Sequence, residues 1–108
     1  MKIGDIILIP FPFAELTNKK VRPAVVITET ADKYRDIVVS AVSSVVTKKL
    51  SPREILLKPN KKNRLRVKSV LKTDRIVTLK REDMIANLGQ LSTLELAEFK
   101  TKLADIIK

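Results

Sequence analysis

Two kinds of side chain in this sequence have the chemistry to act on a phosphate: an arginine ahead of one apolar run and a pair of serines behind another. Arg22 follows a polar stretch and stands directly before Pro23. Its guanidinium presents a fixed fork of donors that suits a phosphoryl group. Ser43 and Ser44 close the run that begins at Ile37, and a hydroxyl there can hydrogen-bond a phosphoryl oxygen. Taken alone, these residues also fit a surface arginine and two turn serines.

The composition restricts the chemistry that is available. The chain has 108 residues and contains neither histidine nor cysteine, which excludes imidazole acid–base catalysis, thiolate nucleophiles and disulfides. With two glycines it has no glycine-rich phosphate loop, and no metal-ligand spacing is visible, so we expect no metal and no cofactor. We expect a single domain over residues 1–108. Because no secretion signal or membrane span is visible, we also expect a cytoplasmic protein.

The positive charge is concentrated in the central third of the chain. Residues 48–81 contain thirteen Lys/Arg and two acids, a net charge of +11, whereas residues 1–47 carry +1 and residues 82–108 carry −2; the three sum to the total of +10. Such an uneven basic block indicates a polyanionic partner, most simply a nucleic acid. A solvated lysine-rich surface is the alternative.

Short apolar runs predict the elements that position these groups. Runs rich in β-branched residues predict strands at 6–9, 24–27, 37–42 and 54–57, with further candidates at 67–71 and 76–79. A loop is expected from Phe11 to Arg22. Ser92 and Glu95 have the spacing of a capping box, and apolar residues then recur at helical spacing, which predicts a final helix of about 14 residues. Five to seven short strands and one helix favour a small closed or half-closed β-barrel.

Four segments, taken in order, resemble the MazF/PemK-type toxins, a family of growth inhibitors. They cover nearly the whole chain: Gly4–Phe13, Arg22–Ile27, Ile37–Ser44, and Ser69–Leu79 followed by Leu88–Ser92 and the last helix. The resemblance implies a mainly β fold, an SH3-like barrel with a C-terminal α-helix. It further implies a homodimer that binds RNA along a groove, and metal-independent cleavage of single-stranded RNA to 2′,3′-cyclic phosphate and 5′-hydroxyl ends. A cognate antitoxin with an acidic, flexible tail would fill that groove.

The resemblance also assigns residues. By position, Arg22 matches the catalytic arginine of the family and Ser43 matches its catalytic threonine or serine. The ribose 2′-hydroxyl supplies the nucleophile, so the lack of histidine is compatible with this chemistry. Glu15 does not stand at the spacing of the acid that some relatives carry, which leaves the general base unassigned. The residues predicted to bind RNA are Phe11, Lys19, Lys20, Ser44, Lys72 and Arg75, and we expect the antitoxin on the surface formed by residues 48–81.

Two other functions fit the same outline. A CcdB-like poison would share the fold, bind a topoisomerase and cleave nothing. A non-catalytic nucleic-acid-binding barrel would use the basic surface alone. The Arg22-Pro23 pair and Ser43 favour the ribonuclease over both.

Overall fold

The fold is built on one antiparallel sheet that curls into a half-barrel. The computed structural model describes residues 1–10 and 20–108. Within them the sheet has six strands in the order β4-β5-β3-β2-β1-β6. In chain order these are β1 (Asp5–Pro10), β2 (Val21–Glu29), β3 (Ile37–Ser43), β4 (Glu54–Leu57), β5 (Ser69–Leu79) and β6 (Ala86–Gln90). A 3₁₀ turn (Arg81–Asp83) precedes β6, and the helix α1 (Thr93–Ile106) follows it. The mainly β prediction with a C-terminal helix is confirmed.

The strand predictions are confirmed for β1 to β4, and β4 has the predicted bounds. The expected loop to Arg22 was wrong at its end: Val21 and Arg22 belong to β2, because they pair with Pro10 and Ile9 of β1. The strand β6 was not predicted as a strand. Its sequence, with alanine, asparagine and glycine, has low β-propensity, and the segment is extended because it pairs with β1.

The two strand candidates between residues 67 and 79 form one long strand, β5. The β3–β5 register shifts within it, because Ala41 pairs with Lys72 whereas the preceding Ser40 pairs with Ile76. Residues 73–75 are therefore extra on the β5 side and form a bulge. The hydroxyl of buried Thr73 donates to the carbonyl of Arg53 at 2.6 Å, and Ser40 Oγ donates to the carbonyl of Thr73 at 2.9 Å. These hydrogen bonds hold the bulge in place. Because the bulge residues are polar, they interrupt the apolar pattern, and the sequence therefore predicted two short strands instead of one long strand.

Buried side chains lie on both faces of the sheet, as alternation along a curled sheet requires. One cluster packs beneath α1 and is centred on Phe99, which is fully buried: Ile6, Val25, Val42, Ile55, Leu57, Leu65, Leu71 and Leu91 complete it. The second cluster lies on the other face: Ile7, Ile9, Ala24, Val26, Ile37 and Val39.

The predicted capping box begins α1. Glu95 N–H donates to Ser92 Oγ at 3.1 Å, and Ser92 N–H donates to Glu95 Oε1 at 2.8 Å. The helix places Phe99 in the core, with Leu96 and Leu103 packed beside it. Among the described residues, no helix is both long and apolar enough to cross a membrane.

Candidate functional site

A groove of about 480 Å³ opens where β2 begins and β3 ends. One wall is the start of β2, and the other is the segment that leads into β5. The groove has an apolar floor with arginines and serines around it: Leu8, Val21, Arg22, Pro23, Val42, Ser44, Arg64, Leu65, Arg66, Val67, Ser69 and Leu88 line it. Three of these side chains are cationic, and none of the lining residues that the structure describes is acidic. The groove therefore suits an anionic ligand that also carries apolar surface.

Arg22 and Ser43 lie at the same end of two neighbouring strands, β2 and β3. In the β2–β3 ladder, Ala24 pairs with Ala41 and Val25 with Ser40. The paired residues end there, and Arg22 and Ser43 each lie two residues beyond the Ala24–Ala41 pair, Ser43 as the last residue of β3. Neighbouring strands lie about 4.8 Å apart. A phosphate at this end of the sheet is therefore close to side chains from both strands.

The two serines have different surroundings. Ser43 is half-buried, and its Oγ accepts a hydrogen bond from the N–H of Val45 at 3.1 Å. Because a hydroxyl has its own proton to donate as well, this bond orients the side chain and leaves it able to bind a phosphoryl oxygen. Ser44 is exposed, and it is the serine that lines the groove beside Arg22. Both predicted serines therefore lie at the same end of the sheet as the arginine.

The other predicted RNA-binding residues are more scattered. Lys20 is exposed directly before β2, next to the groove residue Val21. Lys72 is not a groove residue, and its Nζ lies 3.2 Å from Glu54 Oε2. Arg75 is exposed in the β5 bulge, also apart from the groove. Phe11, Lys19 and Glu15 fall outside the described residues. The roles predicted for these residues remain predictions.

Glu54 is a structural partner of Lys72 at the side of the sheet. The backbone N–H of Ser51 donates to Glu54 Oε1 at 2.8 Å. This hydrogen bond, followed by the hydrogen bond and charge of Lys72, lowers the pKa of Glu54 below its ordinary value of 4.5. The carboxylate is therefore ionised at neutral pH and holds the Lys72 ammonium. Across residues 1–10 and 20–108, acidic side chains do not gather in a group of three that could hold a metal ion.

Sequence reasoning missed two groove residues, Arg64 and Arg66. Both are exposed, and the residue between them, Leu65, is buried in the core. The signal was present as a charged–apolar–charged alternation inside the basic block. This alternation covers three residues only, which is too short to predict a strand or to place the two arginines in a groove.

The half-barrel and its basic groove define a small β-rich protein with a site for an anionic ligand. The family model of the PemK-like, MazF-like toxin of type II toxin–antitoxin systems matches residues 2–107. The chain belongs to this family, which confirms the resemblance.

Solved structures show the same fold. The chain is similar to an endoribonuclease in complex with its cognate antitoxin from a mycobacterial species, with a TM-score of 0.71 and 17% identity over 97% of this chain and 92% of that one. It is also similar to MazF from Deinococcus radiodurans, with a TM-score of 0.73 and 24% identity over 99% and 96%. At these identities the likeness shows the fold alone. A comparison with curated proteins finds no match.

Proposed function

We propose that this chain is a sequence-selective endoribonuclease, the toxin component of a type II toxin–antitoxin system. The observation that carries the proposal is a groove lined by three arginines and by no described acid, at the end of the sheet where Arg22 and Ser43 lie on neighbouring strands. Family membership supports the same activity, and one structural neighbour is an endoribonuclease. The substrate is single-stranded RNA, whose bases fit the apolar floor while its phosphates meet the arginines.

The reaction requires no nucleophile from the protein. The ribose 2′-oxygen forms a bond to phosphorus and loses its proton to solvent, the bond from phosphorus to the 5′-oxygen breaks, and the 5′-oxygen takes up a proton from solvent, so no net proton is gained or lost. The products are a 2′,3′-cyclic phosphate and a 5′-hydroxyl. Arg22 and Ser43 stabilise the negative charge that grows on the phosphoryl oxygens in the transition state. A guanidinium supplies this stabilisation without a metal ion, so cleavage proceeds in EDTA.

The partners follow from the same site. An antitoxin with an acidic, flexible tail neutralises the toxin by occupying the basic surface, and one structural neighbour is itself a complex with its cognate antitoxin. The toxin acts as a homodimer, and release from the antitoxin leads to RNA cleavage and growth arrest.

The first test uses purified protein and long single-stranded RNA in the presence of EDTA. Sequencing of the fragment ends is expected to show clustered cuts with cyclic-phosphate ends. Arg22→Gln is expected to reduce cleavage at least a hundredfold, in line with the loss of one transition-state donor. Arg35→Gln is the matched control, because it removes the same charge from the turn at the far end of the β2–β3 hairpin. Equal cleavage by both variants would contradict the proposal.

The serine assignment is tested by two single variants. Ser43→Ala is expected to lower kcat, because its hydroxyl acts in the transition state, whereas Ser44→Ala is expected to raise KM with little change in kcat. If only Ser44→Ala lowers kcat, the catalytic hydroxyl is the one in the groove lining. A wild-type protein that arrests growth and leaves RNA intact would instead favour the topoisomerase poison, and RNA binding without cleavage would favour the non-catalytic barrel.

A further inference from the structure

The second wall of the groove belongs to a strongly basic loop. The basic loop, residues 58–68 between β4 and β5, contains six Lys/Arg and no acid. Only two of these six cations, Arg64 and Arg66, line the groove. They share the groove lining with Arg22, at the start of β2. The chain thus presents three guanidinium groups around one cleft, where a long, polyanionic strand would meet them.

The basic loop is braced from within by two asparagines. Asn63 is fully buried, and its Oδ1 accepts hydrogen bonds from the N–H groups of Asn60 and Leu65, each at 3.0 Å. Its Nδ2 donates to the carbonyl of Lys58 at 2.8 Å. Asn60 Oδ1 in turn accepts from the N–H groups of Lys62 and Asn63, at 2.9 and 2.7 Å. The loop is therefore held in one shape by its own side chains.

Two contacts fasten the braced loop to the rest of the fold. Leu65 is buried in the core cluster beneath α1. On β6, Gln90 N–H donates to the carbonyl of Lys62 at 3.1 Å. This approach needs a glycine, because a Cβ added at Gly89 would overlap the Lys62 carbonyl oxygen. The two anchors stand on either side of Arg64.

The backbone at Arg64 is in a conformation that its side chain does not favour. Its φ is +54°, in the left-handed region that few non-glycine residues adopt. Asparagine or glycine would adopt this conformation at lower cost. The braces keep a long cation at the strained position, directed to the groove lining. A strained residue held by its surroundings at a cleft points to a function for that side chain.

We propose that Arg64 and Arg66 bind the backbone phosphates of single-stranded RNA next to the scissile one, and so position the strand against Arg22 and Ser43. This inference rests on the proposed function, because it names residues that hold the same substrate. Guanidinium groups pair with phosphate oxygens through two parallel hydrogen bonds, which fixes direction as well as distance. Arg64 and Arg66 are positioning residues, and the phosphoryl chemistry remains with the pair on β2 and β3.

The test measures binding separately from cleavage. The probe is a short, mixed-sequence, single-stranded 2′-O-methyl RNA, which cannot be cut because its 2′-oxygen is blocked. The double variant Arg64→Gln/Arg66→Gln is compared with Lys58→Gln/Lys61→Gln, which removes the same charge from exposed loop positions outside the groove. Thermal unfolding of both double variants verifies that each is folded at the assay temperature.

The arginine double variant is expected to bind the probe roughly tenfold to a hundredfold more weakly than the lysine double variant. Its plot of log binding constant against log salt concentration should be shallower by about 1.4, since each phosphate contact to a single strand contributes about 0.7. On cleavable RNA, KM should rise far more than kcat falls. A conservative pair, Arg64→Lys/Arg66→Lys, should recover the salt slope and only part of the affinity.

Equal binding and equal salt slopes for the arginine and lysine double variants would overturn the inference while leaving the ribonuclease proposal intact. Failure of the wild type to cut any RNA would count against the proposed function. The binding comparison would then still decide whether these arginines hold the strand. An arginine double variant with unchanged KM and a strongly reduced kcat would also overturn the positioning role, because it would place these residues in the transition state.

Discussion

Asn63 is the residue on which the basic loop depends most, and replacing it by alanine should show this. Asn63→Ala leaves three backbone groups without their partner: the N–H groups of Asn60 and Leu65 and the carbonyl of Lys58. Leu65 is buried, so its N–H has no ready access to water, and leaving it unsatisfied costs about 1–3 kcal/mol. Asn60 and Lys58 are exposed, and losing their bonds costs about 0.5–1 kcal/mol each.

These contributions sum to a loss of about 2–5 kcal/mol in the free energy of unfolding. Urea denaturation measures this loss. With an m-value of about 1.5 kcal/mol/M for a chain of this size, the denaturation midpoint should fall by roughly 1–3 M. The matched control is Asn87→Ala, the same change at an exposed position on β6, and its free energy of unfolding should change by less than about 0.5 kcal/mol.

The same variant should affect RNA binding below its melting transition. Loss of the brace frees Arg64 from its left-handed backbone, so the groove loses a fixed cation and KM for RNA should rise. If Asn63→Ala unfolds at the same urea concentration as Asn87→Ala, the argument that its side chain organises the loop is refuted. If stability falls but RNA binding stays unchanged, the loop shape is irrelevant to the groove.

Three further predictions concern the fold. Phe99→Ala should lower the free energy of unfolding by about 3–5 kcal/mol, because it leaves a cavity in the core. The control is Leu94→Ala, at a side chain that is 83% exposed. In the same urea titration it should change the free energy of unfolding by less than about 0.5 kcal/mol. Ser92→Ala removes the helix cap and should cost about 1 kcal/mol, seen by calorimetry as a fall of roughly 4–8 °C in Tm; an unchanged Tm would contradict the role of the capping box. Glu54→Gln should cost about 0.5–1 kcal/mol at pH 7. The hydrogen bond from Ser51 lowers the pKa of Glu54 in the folded state below the ordinary value of 4.5. The difference in the free energy of unfolding between wild type and variant should therefore be fully present above pH 4.5 and disappear as the pH falls below that value. A difference that persists in acid would show that the charge of Glu54 is not its cause.

Much of this fold follows from local patterns in the sequence. Branched apolar runs predicted β1 to β4, and the Ser92–Glu95 spacing predicted where α1 begins, because each of these signals acts within a few residues. The strand β6 escaped prediction because its own residues do not favour a strand. It is extended because the exposed edge of β1 accepts it, and such pairing between the two ends of a chain leaves no local trace.

The candidate site also has residues that the sequence could predict and residues that it could not. Arg22 and Ser43 are identified from an ordered resemblance to a family, and they lie at the same end of two neighbouring strands. Arg64 and Arg66 could not be placed from sequence, because their position in the groove depends on a buried asparagine and on the close approach of Gly89 to the loop. The charge distribution identified residues 48–81 as the basic region. The fold was needed to show that Arg64 and Arg66 are the cations of this region that line the groove.

The two walls of the groove are fixed by different means, and this has a consequence for catalysis. Arg22 is held by its pairing with Ile9 on β1, whereas Arg64 is held by hydrogen bonds inside a loop and by that loop's contact with β6. Since both walls are formed without substrate, RNA binding need not order them, and more of its binding energy is left to align the 2′-oxygen with the scissile phosphate. A flexible basic loop would attract RNA with the same charge but would lose that alignment. The strain at Arg64 is therefore the expected cost of a cation that must already be in place when the strand arrives.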